Sequence, residues 1–353
     1  MSEIENKPVI GITHGDINSI SYEIITKALA DNRIFDFFTP VVYGSSKVAS
    51  YYRKMLNVSD FAFNLIKKAD MANPKRANII NINDQEIKIE AGKSTTIAGE
   101  LALHSLESAI DDLKKGLIDV MVTAPINKHN IQSKDFHFPG HTEYLANKFD
   151  ARDYLMLMVS HSIRIGVVTG HIPLREVADT ITEELLMNKI KILHQSLLQD
   201  FGIRNPRIAI LGINPHASDN GLLGAEEAKV IKPAIDKAFD SGMLVFGPYP
   251  ADGFFGSSVF TEFDGILAMF HDQGMLPFKT LAFDSGVNYT AGLPIIRTSP
   301  AHGTAYDIAG KDKASAESFR AALYLATDIY HNRKRYAEMT ANPLEMSKQE
   351  TER

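Results

Sequence analysis

The 353-residue chain contains no cysteine, which excludes disulfide bridges and every thiolate metal site. Any bound metal must therefore be held by His, Asp or Glu. The absence of cysteine also fits a reducing cytoplasm, where we expect the protein to reside. No apolar run approaches the ~20 residues needed to cross a bilayer, so no membrane partner is expected. The opening residues 1–8 are polar and acidic and lack the basic and apolar regions of a secretory signal. The net charge is −6 and there is no long basic stripe, which argues against nucleic acid as a partner. Isolated Lys and Arg side chains remain available for a small anion.

What is present is the composition of an ordinary globular protein, 44% hydrophobic and 23% charged. The length suggests two domains and a core large enough to need no staples. Short apolar runs read as strands at Val9–Thr13, 41–44, Val120–Thr123, Arg164–Thr169, 207–213 and Gly265–Phe270. Most are continuously apolar, as in strands covered on both faces. Between them, residues 99–115, 182–198, 226–239 and 314–329 carry apolar side chains at helical spacing. This alternation predicts an α/β fold with a largely parallel sheet. The turn-rich stretches 132–141 and 277–288 read as crossings between two lobes, and the charged tail from Asn332 reads as fraying.

Of twelve histidines, His104, His194 and His331 sit in helical patterns and need no special role. His171, His216 and His271 share a different context, each just beyond the carboxyl end of an expected strand, where α/β sheets place their ligands. Each alone reads as a polar loop residue making one hydrogen bond; three in one context read also as ligands of one divalent metal. Three imidazoles leave positions open for substrate and suit zinc first, with magnesium, cobalt or manganese as alternatives. Such a metal would lower the pKa of a substrate hydroxyl and polarise the carbonyl formed by its oxidation. Asp252 and Asp272 are candidate supporting or acid/base groups, or else plain turn caps.

Thr142 falls near the start of a helix expected from about Glu143, a natural phosphate or carboxylate site to which His141 would add a donor. A simple threonine cap fits the same pattern. Lys279, Asn288 and Arg297 follow within twenty residues of one another. Arg297 lies in an apolar setting where an unpaired guanidinium is costly, so it requires either an internal carboxylate or a bound anion. No G-x-G-x-x-G fingerprint marks a dinucleotide site. The small residues Gly303, Ala305, Ala309 and Gly310 in the loop 302–310 would let a ligand approach the backbone closely.

These motifs together resemble the 4-hydroxythreonine-4-phosphate dehydrogenase family. The resemblance spans nearly the whole chain. It runs through Thr123-Ala124-Pro125-Ile126-Asn127-Lys128, Pro139-Gly140-His141-Thr142-Glu143, Asn214-Pro215-His216-Ala217 and Pro250-Ala251-Asp252. It continues through His271-Asp272-Gln273-Gly274 to Gly292-Leu293-Pro294-Ile295-Ile296-Arg297. It implies a two-lobed α/β/α fold like isocitrate and isopropylmalate dehydrogenases, with a cleft between lobes of residues 1–132 plus 282–353 and residues 133–281. It implies a homodimer whose metal site is shared across the interface, with His171, His216 and His271 as ligands. Substrate contacts would be His141, Thr142, Lys279, Asn288 and Arg297, with Asp252, Asp272 and Lys279 as catalytic candidates. The loop carrying His302, Gly303, Thr304, Ala305, Asp307, Ile308 and Gly310 would bind NAD or NADP. The implied reaction oxidises the 3-hydroxyl of 4-phosphooxy-L-threonine and decarboxylates the product to 3-amino-2-oxopropyl phosphate, a step toward vitamin B6.

One motif departs. The family opens on Gly-Asp-Pro-x-Gly-Ile-Gly-x-Glu, where this chain has Gly15-Asp16-Ile17-Asn18-Ser19-Ile20-Ser21-Tyr22-Glu23. Serine caps helices but takes positive φ less freely than glycine. The nearest rival is a paralogous dehydrogenase of 4-phospho-threonate or 4-phospho-erythronate. Dihydrodiol dehydrogenases, a non-redox metal-dependent phosphate-ester enzyme and a non-catalytic phosphosugar-binding module are further alternatives.

Overall fold

A computed structural model describes residues 7–83 and 87–342. In chain order the first strands and helices are β1 (Val9–Thr13), α1 (Ser21–Leu29), β2 (Thr39–Gly44), α2 (Ser46–Met55), β3 (Asn64–Ile66) and β4 (Asn78–Asn81). There follow α3 (Thr96–Lys114), β5 (Val120–Thr123), α4 (His141–Lys148), β6 (Leu155–Val159), β7 (Arg164–Thr169) and α5 (Val177–Thr180). Next come α6 (Glu183–Gln199), β8 (Arg207–Leu211), α7 (Lys232–Asp240), β9 (Leu244–Tyr249) and α8 (Ala251–Phe255). The chain closes with β10 (Gly265–Phe270), α9 (His271–Ala282), β11 (Val287–Ala291), β12 (Arg297–Pro300) and α10 (Glu317–Thr340).

All twelve strands join one sheet, in the order β3-β4-β2-β1-β5-β12-β11-β6-β7-β10-β8-β9. The two flanks are parallel. The centre is not: β11 pairs antiparallel with both β12 and β6, and β6 antiparallel with β7. Helices cover both faces, so β2 and β5 are buried along their whole length. That double burial is why their sequences are continuously apolar rather than alternating. Side-chain caps start three helices cleanly: Ser45 accepts from the Val48 amide, Thr95 from Ala98 and Thr182 from Leu185.

Several expectations change. The strand expected over 207–213 ends at Leu211, because Gly212 turns away to accept from the Gln273 side chain through its carbonyl. The stretch 277–288 is not one long crossing: Pro277 lies inside α9, and only residues 283–286 link that helix to β11. The tail from Asn332 does not fray at once. α10 continues to Thr340, anchored where Asn332 donates to the Asp200 carbonyl and Arg333 meets the Asp200 carboxylate. The expected helix over 226–239 begins with a π-helical turn at Glu227–Ile231 before α7. No described helix is long and apolar enough to cross a membrane.

Candidate active site

The strand order reverses direction around β12, β11 and β6, and a cleft of about 520 Å³ opens there. This is where open α/β sheets bind ligands. Its wall is built from the end of β5, the start of α4, β6, the end of β7, and the strands β11 and β12.

Arg297, the first residue of β12, is 3% exposed. Its Nε and Nη2 both donate to the Thr123 hydroxyl, at 3.0 and 2.6 Å. Its Nη2 also lies 3.1 Å from Nδ1 of His141. No carboxylate forms an ion pair with it among the described residues; Glu143, in the same wall, is the acid whose field it feels. Burial, partly offset by the Glu143 charge, pulls the guanidinium down to about 10, which still leaves it charged at neutral pH. Of the two partners that the sequence permits, an internal carboxylate is therefore missing among the described residues, and the cleft side is open to an anion.

His141 completes the pair. Burial first, then the charges of Arg297 and Lys128, hold its pKa well below the ordinary imidazole value. It is neutral, and with Nδ1 accepting from Arg297 its proton sits on Nε2. That buried Nε2 has no partner. The Oδ1 of Asn288, on β11, is likewise buried and unpartnered. Thr142 Oγ1 lies 3.3 Å from Thr290 Oγ1 at the start of α4. Gly140, at the cap of this helix, offers no side-chain oxygen to the free amides. Several unsatisfied polar groups thus converge on one wall, which is how a site for a polar ligand looks before the ligand arrives.

His171 and His271 stand side by side, their ring centroids 5.5 Å apart. They come from the ends of adjacent parallel strands, β7 and β10. Nδ1 of His271 is engaged by the Asp272 carboxylate at 2.7 Å, leaving Nε2 as its free nitrogen. His171 faces Glu143 Oε1 at 3.9 Å, and burial followed by the Lys128 charge lowers its pKa. His216 is exposed in a turn where five consecutive non-glycine residues, His216 to Asn220, take positive φ between 45° and 69°. Glu227, buried beneath, holds this turn by accepting from the Ile213 and Asn214 amides. Among the described residues no three His, Cys, Asp or Glu side chains converge on one point, so His216 does not join the other two within a single chain.

His302 and Gly303 line the same cleft. Burial lowers the His302 pKa, and its Nε2 is buried without a partner. The rest of the 302–310 loop leads away: Thr304 accepts from the Ile20 amide, Ile308 packs on the main core, and Ala305 and Gly310 take positive φ of 43° and 72°. Asp307 is exposed. The departing segment is fully buried, and neither Ser19 nor Ser21 has positive φ; in that turn only Gly15 does, at 66°.

The remaining expected residues stand outside this wall. Lys279 is exposed on α9, Asp252 is exposed on α8, and the Asp272 side chain is 83% exposed. Conversely, Lys128, Glu143 and Lys189 line the cleft without having been singled out. The first two lie inside the motifs that carry the family resemblance, which was the available signal. Lys189 is hidden in the amphipathic pattern of α6, where its amine donates to the Tyr154 carbonyl.

Fold and cleft together define an α/β protein with a polar cleft, walled by the buried Arg297, at the turning point of its sheet. Residues 36–326 match the family model of the pyridoxal phosphate biosynthetic protein PdxA. A Bacteroides thetaiotaomicron protein named 4-hydroxythreonine-4-phosphate dehydrogenase is 53% identical over 96% of this chain and 93% of its own. An Oceanobacillus iheyensis protein, provisionally named a D-threonate 4-phosphate dehydrogenase, is 38% identical over 92% of this chain and 99% of its own. The crystal structure of the 4-hydroxythreonine-4-phosphate dehydrogenase of Klebsiella pneumoniae superposes with a TM-score of 0.78 at 34% identity, covering 92% of this chain and 98% of that one. The chain belongs to the PdxA family, a family of dehydrogenases.

Proposed function

We propose that the enzyme oxidises 4-phosphooxy-L-threonine at its 3-hydroxyl with NAD or NADP and releases carbon dioxide to give 3-amino-2-oxopropyl phosphate. The observation that carries the reading is Arg297: a buried cation with no carboxylate partner among the described residues, opening on a cleft beside a neutral histidine whose second nitrogen is unsatisfied among them. In this reading Arg297, His141, Thr142 and Asn288 bind and orient the anionic ends of the substrate. Lys128 and Lys189 add positive charge to the same wall. Lys279, Asp252 and Asp272, each exposed, are the catalytic candidates of this reading.

The donor set fits a divalent metal in part. Two imidazoles face one another with one free nitrogen fixed by the His271–Asp272 hydrogen bond, a usual support for a ligating histidine. The third expected ligand, His216, is exposed on the same chain, which fits a site completed by a second copy. A bound metal would acidify the substrate hydroxyl and polarise the carbonyl formed from it. The chain's own residues hold the substrate's charged groups, and burial with the nearby Lys128 charge lowers the His171 pKa. The homodimer reading draws further support from the apolar side chains that α9 and its end leave exposed, Leu276, Leu281 and Phe283. The division into lobes, residues 1–132 with 282–353 and residues 133–281, is supported by the strand order: the first set's strands lie on one side of the β11–β6 pairing and the second set's on the other.

The kinship with the provisionally named D-threonate 4-phosphate dehydrogenase favours one second reading, a phospho-threonate substrate. Cofactor reduction measured with 4-phosphooxy-threonine and with 4-phospho-threonate, each with and without a chelator, tests both. Turnover of 4-phosphooxy-threonine that the chelator abolishes is expected. Turnover of phospho-threonate alone would replace the first reading by the second.

A further inference from the structure

The carboxylate of Asp16 is fully buried, and no cation pairs with it among the described residues. Its needs are met by three neutral donors: Oδ1 accepts from the Asn18 amide at 2.9 Å, and Oδ2 accepts from Asn130 Nδ2 at 2.8 Å and from the Tyr306 hydroxyl at 2.7 Å. Tyr306 sits in the middle of the 302–310 loop, 290 residues away in sequence. A second bond, from the Ile20 amide to the Thr304 carbonyl at 3.2 Å, pins the loop to the same turn. The turn is in turn fastened to the cleft wall. The Asp16 amide donates to the Pro125 carbonyl at 2.9 Å, and so does the Ser21 hydroxyl at 3.1 Å. Ser19 stiffens it from inside, its hydroxyl donating to the Asp16 carbonyl at 2.6 Å and lying 2.8 Å from Ser21 Oγ. The serines that depart from the family pattern thus replace backbone freedom with side-chain hydrogen bonds.

We propose that Asp16 and Tyr306 are positioning residues, whose hydrogen bond holds the 302–310 loop in register with the substrate cleft so that the loop can receive a nicotinamide dinucleotide. The inference rests on the reading of that loop as the cofactor segment. A charge-assisted bond to a buried carboxylate is stronger than a neutral one, and its loss frees the loop at its midpoint while the substrate contacts on β11, β12 and α4 stay in place.

The test uses the full-length enzyme. Binding of reduced nicotinamide dinucleotide is followed by its fluorescence, and kcat and both KM values are measured with 4-phosphooxy-threonine. Tyr306→Phe is expected to weaken dinucleotide binding about tenfold and to leave the KM of the phosphorylated substrate within about twofold. Asp16→Asn keeps an acceptor oxygen and is expected to lose less than Asp16→Ala. Unchanged dinucleotide binding in Tyr306→Phe overturns the proposal. An equal rise of both KM values with a lowered Tm also overturns it, since a merely structural contact behaves that way. Asp307→Ala, at an exposed loop position, separates the two layers: weakened dinucleotide binding there but not in Tyr306→Phe sinks the positioning role alone. Unchanged binding in both variants sinks the loop assignment itself.

Discussion

Arg297 and His141 lie 156 positions apart in sequence and meet 3.1 Å apart in the interior, the guanidinium donating to an imidazole that cannot share its charge. In the proposed reading, a cation buried this way is held for an anionic ligand rather than for the fold. Arg297→Ala is expected to raise the KM for phosphorylated substrate about 30- to 100-fold, the loss of a charge-assisted contact. Arg297→Met is expected to be about 1–3 kcal/mol more stable than the parent while equally impaired, because an apolar side chain of similar size removes the cost of desolvating the charge. Steady-state kinetics and urea denaturation check the pair. A normal KM in Arg297→Ala would return this residue to a structural role.

The separation of His216 from His171 and His271 makes the shared metal site testable without a crystal. His171→Ala and His216→Ala are each expected to be inactive and metal-poor. Mixed in equal amounts and allowed to exchange subunits, half of the dimers become hybrids, and each hybrid carries one site with all its ligands intact. About a quarter of parental activity should return. No recovery after demonstrated exchange would mean that His171 and His216 reach each site from the same chain.

Much of this was legible in the sequence. Strands β1, β2, β5, β7, β8 and β10 are buried along most of their length, and their continuous apolar runs announced them, whereas the partly exposed β3, β4 and β9 went unread. The centre of the sheet was not legible for a physical reason: β11 and β12 carry Asn288 and Arg297, so polar function interrupts the apolar pattern at the site itself. β9 holds Gly247 and Pro248, and α9 holds Gly274 and Pro277, residues that read as turns until packing overrides them. The strand-end position of His171 and His271 correctly suggested proximity, since neighbouring parallel strands end side by side. His216 had the same signature but turns outward on a left-handed stretch, and nothing in its spacing encodes that.

His14, stacked on Tyr22 and buried, predicts a pH dependence. Burial pulls its pKa from 6.5 down to about 4. Between those values the unfolded chain takes up a proton that the folded chain refuses. Stability is therefore full above about pH 6.5 and falls as the pH drops toward 4, by up to about 1.4 kcal/mol per pH unit for this group. His141 shifts in the same direction and adds to the slope. Thermal melts of the parent and of His14→Phe between pH 7 and pH 4.5 should diverge, with the shallower dependence in the variant. Parallel curves would show that His14 takes up its proton in the folded state as readily as in the unfolded one.

The far end of α10 gives the last prediction. Arg333 donates to Asp200 Oδ1 through Nε at 2.6 Å and to the Tyr289 hydroxyl through Nη2 at 2.9 Å, and the Tyr289 hydroxyl donates to Asp200 Oδ2 at 2.7 Å. The Ser196 hydroxyl fills the remaining site on that oxygen. The Asp200 side chain has no exposure, and that of Arg333 only 19%. Removing the cation strands a buried carboxylate, so Arg333→Ala should cost about 3–5 kcal/mol. Truncating both partners leaves no unpaired charge, so Asp200→Ala combined with Arg333→Ala should cost less than the sum of the single changes. The network ties the terminal helix to α6 and to β11, the strand that carries Asn288. Urea denaturation of the two single variants and the double variant measures the coupling. Strict additivity would mean that the helix is held by its apolar face alone and that the ion pair is incidental.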